Sequence, residues 1–431
     1  MIYWAQLFHF YQPATQIPSV LDKICDESYR PLLEVFNDYP NARATVNING
    51  ILTEMLHYCG HGDIIEGLKK LAERGQTEFT GSGKYHPILP LIPPDEIKRQ
   101  LELNQRANTF FFGDVYKPRG FFPPEMAYGQ SLLPPVTEAG YQWIILSGIA
   151  CPASWPVETI YRTEHSGRDI AVFFRDDLIS NRISFQKYGP KEFLDNLNSL
   201  KGNKENIYVV TAMDAETYGH HIKNWENLFL AEVYEQIHVS RESYAHIQQK
   251  KALAPQHASI LHDTEVTQNI QTATISELMN LFPQDKQTEP RASSWSAMEQ
   301  DLKRDNPYPL WADKKSEIHR LQWEHIKICL EMCYRATQIA DTEESKNSAG
   351  LARGLMDRAL QSDQFWWASR RPMWDINLIY MGFIDQSKVI LNACRAASTS
   401  ETSDKIKAEF YNKLTAARSL QDQIIDLLFI P

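Results

Sequence analysis

Two short strings hold the residues best suited to chemistry: GFFPPEMAY at 120–128 and YVVTAMDAETYGHH at 208–221. Each sets a carboxylate just after an apolar, extended run. Glu125 follows Gly120-Phe121-Phe122-Pro123-Pro124, and Asp214 follows Tyr208 to Met213. A carboxylate at the end of a buried strand is poorly solvated, and its pKa shifts accordingly. Two of them on one face of an α/β domain make an acid/base or nucleophile/acid pair. A lone strand-end carboxylate is more often a helix cap or a surface ion pair. Here both are flanked by aromatics and histidines, which favours a site.

Other side chains gather around the same strand ends. His9 lies in LFHFYQP, where Gln12-Pro13 marks the chain leaving a strand. A histidine between aromatics is by itself more often a satisfied core residue. His86 lies in GSGKYHPILPLIP beside Tyr85, placed to donate to a sugar hydroxyl or to cap a turn. Asp214 and Glu216 have strand spacing and so share a side, one for chemistry and one to tune it or bind substrate. His220 and His221 follow. His9, Asp214, Glu216, His220 and His221 are acceptable metal ligands, but their spacing matches neither HExxH nor a CxxC set. No G-x-S-x-G elbow and no phosphate loop occurs. The residues therefore imply two-carboxylate chemistry, with no metal and no cofactor.

The elements that must position these residues alternate in type. Strands are predicted at 3–10, 43–48, 77–80, 119–122, 142–147, 170–174 and 207–213. Helices are predicted at 95–112, 130–139 and 191–200. Such alternation implies parallel βαβ units. His9, His86, Glu125 and Asp214 then all fall at C-terminal strand ends, which share one rim in a parallel barrel. From about residue 225 the strand signal fades. Residues 283–296 are polar with two prolines and read as a crossing loop. After Trp311 the chain is helical, with segments beginning near 319, 351, 374 and 403. The expected division is a barrel over 1–290 and a helical domain over 291–431, packed together because the aromatic-rich helices need a partner surface.

Bulk properties narrow the function. The 431 residues carry a net charge of −10, which disfavours nucleic acid and anionic membrane as partners. A neutral substrate such as a sugar is compatible. No apolar run approaches the ~18 residues that span a bilayer. The start of the chain lacks a secretory pattern, and six scattered cysteines suggest reduced thiols, so a cytoplasmic protein is expected. Ten Trp, 19 Tyr and 19 Phe are unusually many. Phe365-Trp366-Trp367 and Trp374 are read mainly as packing between barrel and helices, with sugar stacking the other use.

The ordered set FHFYQP, GSGKYHPILPLIP, GFFPPEMAY, MDAETYGHH and SSWS resembles the five signature regions of glycoside hydrolase family 57, over residues 9–296. The resemblance implies an incomplete (β/α)7 barrel followed by a C-terminal helical bundle. It implies a retaining enzyme acting on α-glucans, as α-amylase, 4-α-glucanotransferase, branching enzyme or amylopullulanase. Glu125 then matches the nucleophile and Asp214 the general acid/base. His9 and Gln12 match the first region and Trp295 the fifth; with Tyr85, His86, Glu216 and His220 they form the expected substrate-binding set. Two positions depart from the pattern. Tyr11 stands where the first region usually has a second His, and His86 stands where the glucanotransferase type has a Glu. A retaining pair lies roughly 5–5.5 Å apart. Glu125 is expected to be held as the anion by donors such as histidines, and Asp214–Glu216 repulsion to raise one of that pair. The rival readings are a glucanotransferase using the same residues, a metal-dependent carbohydrate hydrolase or deacetylase, and a catalytically silent glycan-binding protein.

Overall fold

The computed structural model describes residues 1–238 and 269–429. Its centre is a sheet in which seven parallel strands run in the order β8-β1-β2-β3-β4-β5-β7. These are β1 (Ile2–Phe10), β2 (Ala44–Ile48), β3 (Thr77–Gly81), β4 (Gly120–Phe121), β5 (Trp143–Leu146), β7 (Arg168–Phe174) and β8 (Ile207–Asp214). Three further strands lie at the margins. β6 (Tyr161–His165) pairs antiparallel with β7, β10 (Lys286–Gln287) continues from β6, and β9 (Ile270–Ala273) pairs with the first half of β1. The result is the incomplete (β/α)7 barrel expected, followed by a helical region.

Period-two alternation decides what each strand buries. Along β1, Trp4, Phe8 and Phe10 pack outward under the surrounding helices, while Ala5 and Leu7 face the interior. Along β8, Val209 and Met213 face out, and Tyr208, Val210 and Ala212 face in. Both faces are covered, so these strands read as nearly continuous apolar runs.

The tail comprises the helices Glu317–Ile339, Glu343–Ala359, Ile376–Thr399 and Asp404–Leu428. Its side chains Ile326, Cys329, Met332 and Met356 share one core with Ile97, Leu101, Tyr128 and Leu133 of the barrel. A partly buried ion network closes the joint. Arg99 forks onto Asp357 at 2.6 and 2.7 Å, and Arg353 bridges Glu96 and Asp357. The tryptophans take part in this packing unequally. Trp366 contributes to the joint, whereas Trp367 and Trp374 pack among the tail helices themselves, with Ile318, Leu321 and Ile379.

Several predicted elements need correction. The strand expected at 119–122 is two residues long, because Pro123-Pro124 end it. β6, β9 and β10 were not expected: β6 and β10 are polar and lie at an edge, and β9 is only four residues long. The helix expected from 351 begins at Glu343, capped by Thr342.

Candidate active site

Strand parity brings the first residues together. His9 lies on the inward face of β1, two beyond Leu7, and Asp214 on the inward face of β8, two beyond Ala212. His9 is in register with Asp214 on one side and with Asn47 of β2 on the other. Its Nδ1 lies 2.7 Å from Asn47 Oδ1, and Asn47 Nδ2 donates to Thr80 Oγ1 at 2.8 Å.

Glu125 arrives differently. It sits in the turn Pro124–Met126, with φ 58° and ψ 17°. His86 is also left-handed, at φ 57°. Each such non-glycine residue costs on the order of 1–3 kcal/mol and persists only where its surroundings hold it. The crossing loop supplies that hold for Glu125. Tyr128 and Ser293 exchange main-chain hydrogen bonds at 2.8 and 3.2 Å, and Trp295 N–H donates to Glu125 O at 3.1 Å. The Trp295 indole N–H then donates to Glu125 Oε2 at 2.7 Å. The tail holds His86, whose carbonyl accepts from Ser362 N–H at 3.1 Å.

The tail also reaches the carboxylate. Ser362 Oγ lies 2.9 Å from His86 Nδ1 and 3.5 Å from Glu125 Oε1. His86 Nε2 is 3.1 Å from His9 Nε2. Tyr11 stacks on His86 with ring centroids 3.8 Å apart, and its hydroxyl donates to Asp363. Asn47, Ser362 and Asp363 were not foreseen, and Tyr11 was noted only as a departure. Ser362 and Asp363 follow the helix Glu343–Ala359 in sequence, where nothing in composition marks a site.

On the other side of Asp214, Glu216 occupies the turn Ala215–Thr217 just past the strand. Strand spacing therefore does not place it, since β8 ends at Asp214. A π-helical turn, Cys25–Tyr29, does. Ser28 Oγ donates to Ala215 O at 2.9 Å, and the Tyr29 hydroxyl donates to Glu216 Oε1. Gln12 Nε2 donates to the same oxygen at 2.7 Å. Glu27 takes His220 Nδ1 at 2.6 Å and Lys223 Nζ at 2.5 Å. Tyr85 joins none of these bonds: its N–H donates to Gln100 Oε1, and Lys84 Nζ lies 5.1 Å from its ring.

Burial dominates the electrostatics. It pushes the Glu125 carboxyl up to about 8, aided by Asp363 and Asp214 and opposed by the Trp295 and Ser362 hydrogen bonds. Burial and then Asp214 push Glu216 up to about 8. Burial raises Asp363 to about 6. Burial and the neighbouring His9 take the His86 imidazole well below its ordinary value. The expected repulsion at Asp214–Glu216 thus falls on Glu216. The donors that meet the Glu125 carboxyl are Trp295 and Ser362, while burial takes His86 well below its ordinary value. Among the described residues, no group of three or more His, Cys, Asp and Glu is arranged to hold a metal ion. No helix among them is long and apolar enough to cross a membrane.

The fold is an incomplete parallel (β/α) barrel with carboxyls after its strand ends, and sequence comparison narrows the class. The model of glycosyl hydrolase family 57 matches residues 5–286, and the chain belongs to that family. Over 219 residues it is 30% identical to an α-amylase of Pyrococcus horikoshii, covering 49% of this chain and 33% of that one. Over 219 residues it is 27% identical to a 4-α-glucanotransferase of Thermococcus kodakarensis, covering 49% and 32%. The matched region spans about a third of the length of these relatives. The fold is that of a GH57-type branching enzyme from Pyrococcus horikoshii, at TM-score 0.70 and 14% identity, covering 100% of this chain and 97% of that one.

Proposed function

We propose that this protein is a retaining glycosidase acting on α-glucans. The observation that carries the reading is the pairing of Glu125 with Asp214. The two carboxyls follow separate strands of one sheet, and His86 connects them: its Nδ1 lies 3.6 Å from Glu125 Oε1 and its Nε2 3.1 Å from His9, the register partner of Asp214. In this reading Glu125 attacks the anomeric carbon and Asp214 protonates the leaving oxygen, the pair of steps a retaining mechanism requires. Asp214 then draws a proton from water, which releases the sugar from Glu125. In the same reading His9, Gln12, His86, Glu216, His220 and Trp295 form the substrate-binding set around the pair, with Tyr85 beside His86 in the chain. Trp295 braces Glu125 and is half-buried.

Similarity to named α-amylases and named 4-α-glucanotransferases alike supports an α-glucan substrate. It leaves two acceptors, water or a sugar hydroxyl, for the same two residues. Product analysis on defined maltooligosaccharides separates them. Shorter chains alone mean hydrolysis, and longer chains mean transfer. Glu125→Gln should abolish turnover with the fold intact, and azide should restore part of the activity to Glu125→Ala. Wild-type turnover by Glu125→Gln sinks the nucleophile assignment, and activity abolished by EDTA points instead to a metal-dependent hydrolase.

A further inference from the structure

We propose that Arg175 is a positioning residue: it closes the seam of the incomplete barrel beside Asp214 and packs on Trp295, so that one guanidinium sets the spacing of Asp214 and Glu125. The proposal rests on the retaining reading above, in which that spacing governs the rate.

The seam lies where the sheet stops. Among the described residues β8 pairs with β1 alone, and no ladder joins β7 to β8. An edge strand of this kind presents a row of main-chain N–H and C=O groups without strand partners. On β8 they are satisfied one at a time. Tyr208 N–H donates to Val157 O at 2.8 Å, and Val210 O accepts from Asp176 N–H at 2.7 Å. Ala212 N–H donates to Ser180 Oγ at 3.3 Å. Ala212 O, two residues before Asp214, accepts from Arg175 Nε–H at 2.7 Å. Arg175 and Asp176 follow directly on β7, so two consecutive residues clasp the end of β7 to β8. The main-chain N–H of Arg175 donates to Leu146 O of β5 at 2.8 Å, which fixes the clasp to the sheet.

The rest of the guanidinium is held as firmly. Nη1 donates to Asp177 Oδ1 at 2.7 Å and Nη2 to Asn181 Oδ1 at 2.9 Å. Asp177 Oδ2 in turn accepts from Ser147 Oγ and Ile149 N–H, at 2.9 and 3.0 Å. Arg291 of the crossing loop donates to Ile149 O at 2.6 Å, and Trp295 lies on the same loop. Arg175 Cζ is 6.0 Å from the centroid of the Trp295 ring, within cation–π reach. The indole N–H of that ring is the donor to Glu125 Oε2. One group therefore touches both the strand that ends in Asp214 and the ring that holds Glu125. The Arg175 side chain is 6% exposed, and burying a cation is costly unless it is paired and hydrogen-bonded. A neutral side chain could cap one carbonyl. Only the planar fork of arginine reaches a carbonyl, a carboxylate and an amide while presenting a flat face to an indole.

A displacement of about 1 Å between reacting groups costs about 100-fold in rate. Full-length Arg175→Met should therefore lose about 100-fold in kcat on maltoheptaose, with KM within about twofold of wild type, measured well below its Tm. Arg175→Lys keeps the charge and a donor but not the fork, and its kcat should fall between the two. Arg175→Met combined with Trp295→Phe should be at most about threefold slower than the slower single variant, because both residues act on the spacing of one pair. Losses that multiply overturn the shared frame. A kcat for Arg175→Met within about threefold of wild type overturns the proposal even if Tm falls, since Arg175 then only stabilises the fold. A raised KM with kcat kept overturns it too, by placing Arg175 on the sugar. If Arg175→Met does not fold, Arg175→Lys decides by the same split of kcat and KM. An inactive Glu125→Gln beside an Arg175→Met of wild-type kcat removes the positioning role and spares the glycosidase reading; a fully active Glu125→Gln removes both.

Discussion

Glu125, Glu216 and Asp363 leave water on folding, and each carboxyl then holds its proton more tightly than in the open chain. The native state therefore binds protons that the unfolded chain has released. Stability from these groups is complete below about pH 4, the free carboxyl range. It is lost as pH rises through about 6 for Asp363 and about 8 for Glu125 and Glu216. Calorimetry should show Tm falling between pH 5 and 8, and Glu125→Gln should raise Tm at pH 8 by on the order of several degrees. A lower Tm for that variant would mean that its hydrogen bonds outweigh its burial. Asp214→Asn should inactivate with a different signature. The first step should survive far better on activated aryl glycosides than on glucan, since good leaving groups need little protonation. Equal loss on both would make Asp214 a substrate-positioning residue. The two carboxylates were legible because each follows a visible strand. Their protonation states were not, because those depend on Ser362 and Asp363, more than 140 residues further along the chain.

The π-helical turn Cys25–Tyr29 shows how one short element steadies another. It holds the 214–220 rim through Ser28, Tyr29 and Glu27. Gly219 makes the approach possible: its φ is +106°, and an added Cβ would lie 1.8 Å from the Glu27 carbonyl oxygen. Gly219→Ala should therefore displace the rim, costing more than about 1 kcal/mol in urea unfolding and much of the activity. Gly350→Ala is the contrasting case. Gly350 lies within the helix Glu343–Ala359 with nothing within 4 Å of its would-be Cβ, so it should stabilise by about 0.5–1 kcal/mol. Glu216 illustrates a right neighbour reached for the wrong reason. Strand spacing suggested it would share a side with Asp214, but a turn and the Tyr29 hydroxyl bring it there.

At the scale of the whole molecule, the tail reaches the candidate site. Ser362 meets Glu125 and Asp363 holds the Tyr11 hydroxyl, while Arg353, Asp357, Ile326 and Met332 seal the joint. A 1–310 fragment strips the barrel of that cover and exposes a contiguous apolar face. It should be insoluble or inactive when expressed and assayed on glucan. A soluble fragment with full activity would show that the barrel alone builds the site. Removing one partner of the partly buried ion network is a milder probe. Asp357→Ala leaves Arg353 facing Glu96 alone and Arg99 to solvent, and should destabilise by roughly 1–3 kcal/mol.

The sequence by itself determined the barrel, the places of Glu125, Asp214 and His9 at strand ends, and the helical tail. Periodicity and strand termini are local properties, so a local reading recovers them. The family's ordered strings added the expectation of sugar chemistry. Only the tertiary structure decided which side chains surround the carboxyls. It set the Asn47–His9–His86–Ser362 line, the Tyr11–Asp363 pair and the grip of residues 25–29 on the rim. These contacts join segments tens to hundreds of residues apart. Burial and hydrogen-bond polarity arise only when such segments meet, and no pattern of neighbours along the chain encodes them.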